Sequence, residues 1–159
     1  MEPSPENPSS SENLPSPTIL LVEDDLSHAE LITRAIRESG IVAQVRQAGD
    51  GQSALDYLFR RGPFADPATS PRPRLVLLDL RLPRIDGLDV LRQIKASPNL
   101  RQTPVVVLTT AGAKKEIAAA YALHANGIVM KPVDFSSIVG LMSDSLSYWL
   151  YWNRDPWGK

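Results

Sequence analysis

The chain has 159 residues, 43% of them hydrophobic, a formal net charge of −1 and no cysteine. That length suits one domain with a sizeable core. Near-neutral charge argues against an electrostatic grip on nucleic acid, and the missing cysteines exclude disulfides, thiol catalysis and Cys-based zinc sites. With no apolar stretch of about 20 residues and no apolar signal region at the start, neither a membrane span nor secretion is expected, so the cytoplasm is the default compartment.

Residues 1–17 hold five prolines and five serines. Such a composition cannot bury enough surface to order itself, which predicts a disordered leader. From Thr18 onward, strand and helix signals alternate. Ile19–Val22 is an apolar strand that runs into Glu23, Asp24 and Asp25. A helix is predicted over Leu26–Ser39, with Ala29, Ile32, Ala35 and Ile36 at helical spacing and Gly40 as its stop. A weaker strand covers Val42–Gln47. A short helix over Gln52–Arg60 turns Ala54, Leu55, Leu58 and Phe59 inward, and a proline-rich loop follows. Leu75–Leu78 is a fully apolar strand ending in Asp79. Then come a helix over Leu88–Ala96, a β-branched strand over Val105–Leu108, an alanine-rich helix over Lys114–His124 and a strand over Ile128–Met130. A last helix runs from Phe135 to about Trp152.

Alternating βα units imply a parallel sheet with helices on both faces. Five strands fit a doubly wound α/β fold with five helices and strand order 2-1-3-4-5, whose switch point lies between the first and third strands. Ligands bind there, beyond the carboxyl ends of the strands. Glu23, Asp24 and Asp79 fall at that point. Three carboxylates in one crevice repel each other unless a cation joins them, and their oxygens suit Mg²⁺. The fourth strand adds the Thr109 hydroxyl and the fifth the Lys131 ammonium. A carboxylate nucleophile, a Mg²⁺ site, a hydroxyl and a lysine form a phosphoryl-transfer set.

The pattern resembles the receiver domain of two-component response regulators over about residues 18–150. The residues carrying the resemblance are the acid pair Glu23-Asp24, the Asp79/Pro83/Asp86-Gly87 run, Thr109 and Lys131-Pro132. Thirty residues separate Asp79 from Thr109, and twenty-two separate Thr109 from Lys131. The resemblance implies a flavodoxin-like receiver fold and an Asp79 that accepts phosphate from a histidine kinase. It implies Mg²⁺ held by Glu23, Asp24, Asp79 and the Arg81 backbone carbonyl, with Thr109 and Lys131 sensing the phosphate. In that family the Lys131–Pro132 bond is often cis. Members often carry Tyr or Phe three residues before the lysine, and its rotation reports phosphorylation; here that switch position is Ile128. Asp25 stands where relatives often have Asn, and is expected to cap the first helix.

Five of the ten aromatic residues fall in the last twelve positions: Tyr148, Trp149, Tyr151, Trp152 and Trp157. In the last helix, Phe135, Ile138, Met142 and Trp149 form a core stripe. Val139, Leu141, Tyr148, Tyr151 and Trp152 widen the apolar surface beyond one core face. Such excess suggests a contact site, so Leu141, Tyr148, Trp149, Tyr151 and Trp152 are candidates for a symmetric homodimer. The terminal Tyr-Trp, with the Tyr-Ala-Leu-His-Ala-Asn segment over 121–126 and the Thr109-Thr110 pair, sharpens the resemblance toward single-domain response regulators paired with bacterial and cyanobacterial phytochromes, which implies a phytochrome-type kinase. The expected division is a leader over 1–17, a receiver over 18–147 and an aromatic extension over 148–159. No DNA-binding domain is expected, so output passes through protein contacts or phosphate relay to a downstream phosphotransfer protein. The chain is not expected to be an enzyme beyond slow loss of its own phosphate. An aspartyl-nucleophile phosphatase wants an acid two residues after the nucleophile, where Arg81 stands. A non-switching binding module is the alternative that Ile128 supports. Gly49–Ala54 mimics a dinucleotide fingerprint but follows the second strand, which favours a turn.

Overall fold

The computed structural model describes residues 15–110 and 114–157. Five strands, β1 (Thr18–Val22), β2 (Gln44–Ala48), β3 (Leu75–Asp79), β4 (Val105–Thr109) and β5 (Gly127–Met130), alternate with five helices. The helices are α1 (Leu26–Glu38), α2 (Gly51–Leu58), α3 (Gly87–Ala96), α4 (Lys114–Ala122) and α5 (Phe135–Ser147). The sheet is wholly parallel in the order β2-β1-β3-β4-β5. This is the doubly wound, flavodoxin-like arrangement expected from the alternation.

The apolar runs Ile19–Val22, Leu75–Leu78 and Val105–Leu108 are buried throughout because β1, β3 and β4 lie inside the sheet, covered on both faces. Alternate residues feed two cores. Leu20, Val22, Val76, Leu78, Val105 and Val107 pack with α2, α3 and α4, and Ile19, Leu21, Leu75, Leu77, Val106 and Leu108 pack with α1 and α5. The predicted inner face of α1 is the observed one: Ala29, Ile32, Ala35 and Ile36 are all buried.

Several boundaries differ from expectation. β2 begins at Gln44 rather than Val42, which is exposed on the approach to an edge strand. α3 starts at Gly87, α2 ends at Leu58 and α4 ends at Ala122. The proline-rich loop contains a 3-10 turn, Gly62–Phe64, that packs Phe64 against Tyr57. Tyr57, absent from the expected inner face of α2, is buried and donates its hydroxyl to the Pro71 carbonyl at 2.6 Å. The Lys131–Pro132 bond is trans; before proline the two isomers differ by only about 1 kcal/mol. The leader expected over 1–17 falls largely outside the described residues. Within it, the Pro17 carbonyl accepts the Gln44 amide at 2.8 Å, which ties the entry to β1 onto β2.

The last helix does not continue regularly to Trp152. After Ser147 it widens into a π-helical turn, Tyr148–Trp152, closed by the Asn153 amide on the Tyr148 carbonyl at 2.7 Å. The wider turn keeps a four-residue repeat in line, so Ile138, Met142, Leu146 and Leu150 form the buried stripe. Leu146 and Leu150 take the inward places expected of Phe135 and Trp149, which are half-buried.

Candidate functional site

Asp79 ends β3, and the chain must turn sharply there to enter α3. Two features make that turn. Asp86 caps α3 by accepting the Asp89 amide at 2.9 Å, and the Gly87 amide returns to the Leu80 carbonyl at 2.9 Å. A Cβ at Gly87 would sit 2.4 Å from both the Asp79 carbonyl oxygen and Leu80 Cα. Only glycine permits this approach. The Asp86-Gly87 pair thus closes the loop over the end of β3 and holds Asp79 at the sheet rim.

β1 delivers Glu23 and Asp24 to the same rim. The Glu23 amide bonds to the Ala48 carbonyl at 3.1 Å, extending the β1–β2 ladder by one residue. The Glu23 side chain is 2% exposed, whereas Asp24 faces solvent. Asp25 caps α1, accepting the Ser27 and His28 amides at 2.9 and 3.1 Å. Carboxylate oxygens of Glu23, Asp24 and Asp79 lie within 4.8 Å of one another.

Lys131, just past β5, reaches across to this cluster. Its Nζ donates to Glu23 Oε2 at 2.6 Å and to Asp79 Oδ2 at 2.8 Å. The other Asp79 oxygen, Oδ1, accepts the Arg81 amide at 2.9 Å. The Asp25 amide donates to Glu23 Oε1 at 3.3 Å. Thr109, buried at the end of β4, donates its hydroxyl to the Thr110 carbonyl at 3.1 Å. The Thr109 carbonyl in turn accepts the Lys131 amide at 2.8 Å, tying the ends of β4 and β5 together.

The electrostatics separate the two buried acids. Burial pushes Glu23 up, and the Lys131 hydrogen bond does not offset it. Burial also pushes Asp79 upward, but the Lys131 hydrogen bond and the Arg81 amide together hold it below the ordinary range. Burial opposes the Lys131 charge, yet its bonds to Asp79 and Glu23 raise it. The shifts of the two acids run in opposite directions, so Glu23 is the readier of the two to take a proton. Three carboxylates face one ammonium, a donor set of hard oxygens with surplus negative charge that fits a divalent cation.

Of the sequence-predicted residues, Glu23, Asp24, Asp79 and Lys131 converge, with the Arg81 backbone and Thr109 beside them. Arg81 was expected to contribute its carbonyl; the contact present is its amide on Asp79. No side-chain signal marks a backbone donor, so sequence reasoning missed it. Ile128 is half-buried and packs against the core on the α2–α3–α4 side of the sheet. Among the candidate contact residues, Tyr148, Tyr151 and Trp152 are exposed, while Leu141 and Trp149 pack partly into the core beneath α1 and α5. Trp157 folds back, with the Arg72 guanidinium 4.7 Å above its ring.

The response regulator receiver domain model matches residues 19–143. A probable methanogenesis regulatory protein, FilR2 of Methanothrix harundinacea, is 44% identical over 87% of this chain and 86% of its own length. Response regulator Rcp1 of Synechocystis is 37% identical over 89% of this chain and 94% of its own. The Mn²⁺-bound form of Rcp1 superimposes with a TM-score of 0.79 at 36% identity, over 89% of this chain and 99% of that one. The phosphorylated cyanobacterial phytochrome response regulator RcpA gives 0.82 at 35% identity, with the same coverage. The chain belongs to the response regulator receiver family.

Proposed function

We propose that this chain accepts a phosphoryl group on Asp79 from a histidine kinase, in a Mg²⁺-dependent phosphorelay, and signals through protein contacts. The observation that carries this reading is the Asp79 carboxylate itself, kept ionised at the sheet rim by Lys131 and the Arg81 amide. An Asp79 oxygen attacks the phosphorus of a phosphohistidine. The P–N bond breaks, its electron pair leaves with the imidazole nitrogen, and an acyl phosphate forms on Asp79. Lys131 stays beside the new acyl phosphate as a fixed cation. The Thr109 hydroxyl leaves the Thr110 carbonyl and donates to a phosphoryl oxygen. Glu23, Asp24, Asp79 and the Arg81 carbonyl would hold Mg²⁺, which neutralises charge between carboxylates and phosphoryl oxygens when bound.

Similarity to Rcp1 and RcpA supports a phytochrome-type kinase as the donor. The same reading takes 1–17 as a leader, 18–147 as the receiver and 148–159 as an extension that dimerises through Tyr148, Tyr151 and Trp152, flanked by Leu141 and Trp149. It places the protein in the cytoplasm, without nucleic acid or membrane contact and without catalysis beyond loss of its own phosphate. Among the described residues, no helix is long and apolar enough to cross a membrane.

Ile128 favours a second reading, a receiver-like binding module that does not switch, because no aromatic ring stands ready to follow Thr109. Incubation with acetyl phosphate and with a panel of histidine kinases, beside Asp79→Asn, separates the two. Mg²⁺-dependent label on the wild type alone supports the phosphoacceptor. No label from any donor sinks it and leaves the module.

A further inference from the structure

The loop between β3 and α3 carries the backbone against Asp79, and one residue outside the pocket limits where that loop lies. Gly51, the first residue of α2, is buried. A Cβ there would sit 2.3 Å from the Ile85 carbonyl oxygen, 2.9 Å from Val90 Cγ2 and 3.0 Å from Ile85 Cβ. Side-chain carbons do not approach a carbonyl oxygen so closely, so the Ile85 peptide occupies space that only glycine leaves free. Arg84, the preceding residue, has φ +66°, in the left-handed region that is strained for a non-glycine residue. The Ile85 carbonyl that meets Gly51 comes directly after that turn. The loop is therefore pinned to α2 through Ile85, to α3 through the Asp86 cap and to β3 through Gly87. Between the pins runs Arg81, whose amide holds Asp79 Oδ1.

We propose that Gly51 is a positioning residue for the Asp79 pocket. By admitting the Ile85 carbonyl it sets the β3–α3 loop, and with it the Arg81 amide and carbonyl. The inference deepens the phosphoacceptor reading and rests on it. Gly51 contributes no group to the pocket and acts only through the loop.

The test compares Gly51→Ala with Gly140→Ala, a matched replacement in α5 where a Cβ meets nothing within 4 Å. Two quantities are read by NMR: the position of the Arg81 amide resonance, and the Mg²⁺ concentration that half-saturates the pocket resonances. Gly51→Ala should displace the Arg81 resonance and weaken Mg²⁺ binding about tenfold or more, while Gly140→Ala leaves affinity within about twofold. A folded Gly51→Ala protein with an unmoved Arg81 resonance and unchanged Mg²⁺ affinity overturns the proposal. If that variant does not fold, Ile85→Gly decides, because it loosens the peptide seated on Gly51 without adding atoms. It should broaden the Arg81 resonance and weaken Mg²⁺ binding several-fold; unchanged values overturn the proposal equally. The Arg81 resonance needs neither metal nor phosphate, so a wild type that takes no label sinks the phosphoacceptor reading alone.

Discussion

Lys131 is the residue on which the pocket's charge balance turns. It pairs both Glu23 and Asp79, and its own side chain is 13% exposed. Lys131→Met leaves two buried acids without a counterion, so in EDTA it should lower unfolding free energy by about 3 kcal/mol, measured by urea titration. Glu23→Gln should behave in the opposite sense. Glu23 sits above its unfolded value, so its contribution to stability is fully present below the unfolded pKa and fades as pH rises through the folded one. At neutral pH in EDTA, Glu23→Gln is therefore expected to match or exceed wild-type stability while losing the gain that Mg²⁺ confers, as thermal unfolding with and without the metal would show. Gly87→Ala drives a methyl into the backbone of Asp79 and Leu80, and should cost about 2–3 kcal/mol by the same urea measurement. The acids, Thr109, Lys131 and the Asp86-Gly87 pair were legible in the sequence because they are side-chain types at fixed spacing. The Arg81 amide and the seat at Gly51 were not, because a backbone donor and an unoccupied volume have no letter of their own.

Elements were legible in proportion to their burial. β1, β3 and β4 announced themselves as apolar runs, since each is covered on both faces. β2 is an edge strand of sequence Gln-Val-Arg-Gln-Ala, largely exposed, so its start was misplaced by two residues. The π-helical turn after α5 was hidden because a regular helix and a widened one carry the same composition. A lysine network escaped for another reason. Lys95 at the end of α3 donates to the Arg101 and Thr103 carbonyls at 3.0 and 2.9 Å and to Asn126 Oδ1 at 2.8 Å. Burial pushes its ammonium down to about 8, against three acceptors that favour the charge. Helix caps follow the expected chemistry more closely. Asp134 accepts the Ser137 amide at 2.8 Å, and that bond, with the Ser137 and Ser136 hydroxyls, holds its carboxyl below 3.8. Its folded value is depressed, so its stabilisation is present above 3.8 and lost as pH falls through the folded value. Asp134→Ala should lower the thermal midpoint at pH 7, and the gap from wild type should close in strongly acidic buffer.

At the scale of the whole molecule, the sheet separates two regions. The acid pocket lies beyond the carboxyl ends of β1 and β3. The tail gathers at the other rim, where Trp149 comes within 3.9 Å of a Cβ built at Gly127, the first residue of β5, and Trp157 stacks on Arg72 just ahead of β3. Tyr148, Tyr151 and Trp152 remain exposed at 52%, 56% and 79%. If they form the dimer contact, a Tyr148→Ala/Trp152→Ala double variant should sediment as a folded monomer at concentrations where wild type is a dimer. An unchanged mass would move the interface elsewhere. The placement of the tryptophans also supplies a detector. Every indole in the chain belongs to residues 149–157, and none lies at the acid pocket. Tryptophan emission is therefore blind to events at Asp79 unless they cross the length of the sheet. A change in emission when the pocket is loaded would be transmission itself made visible, with Asp79→Asn as its dark control.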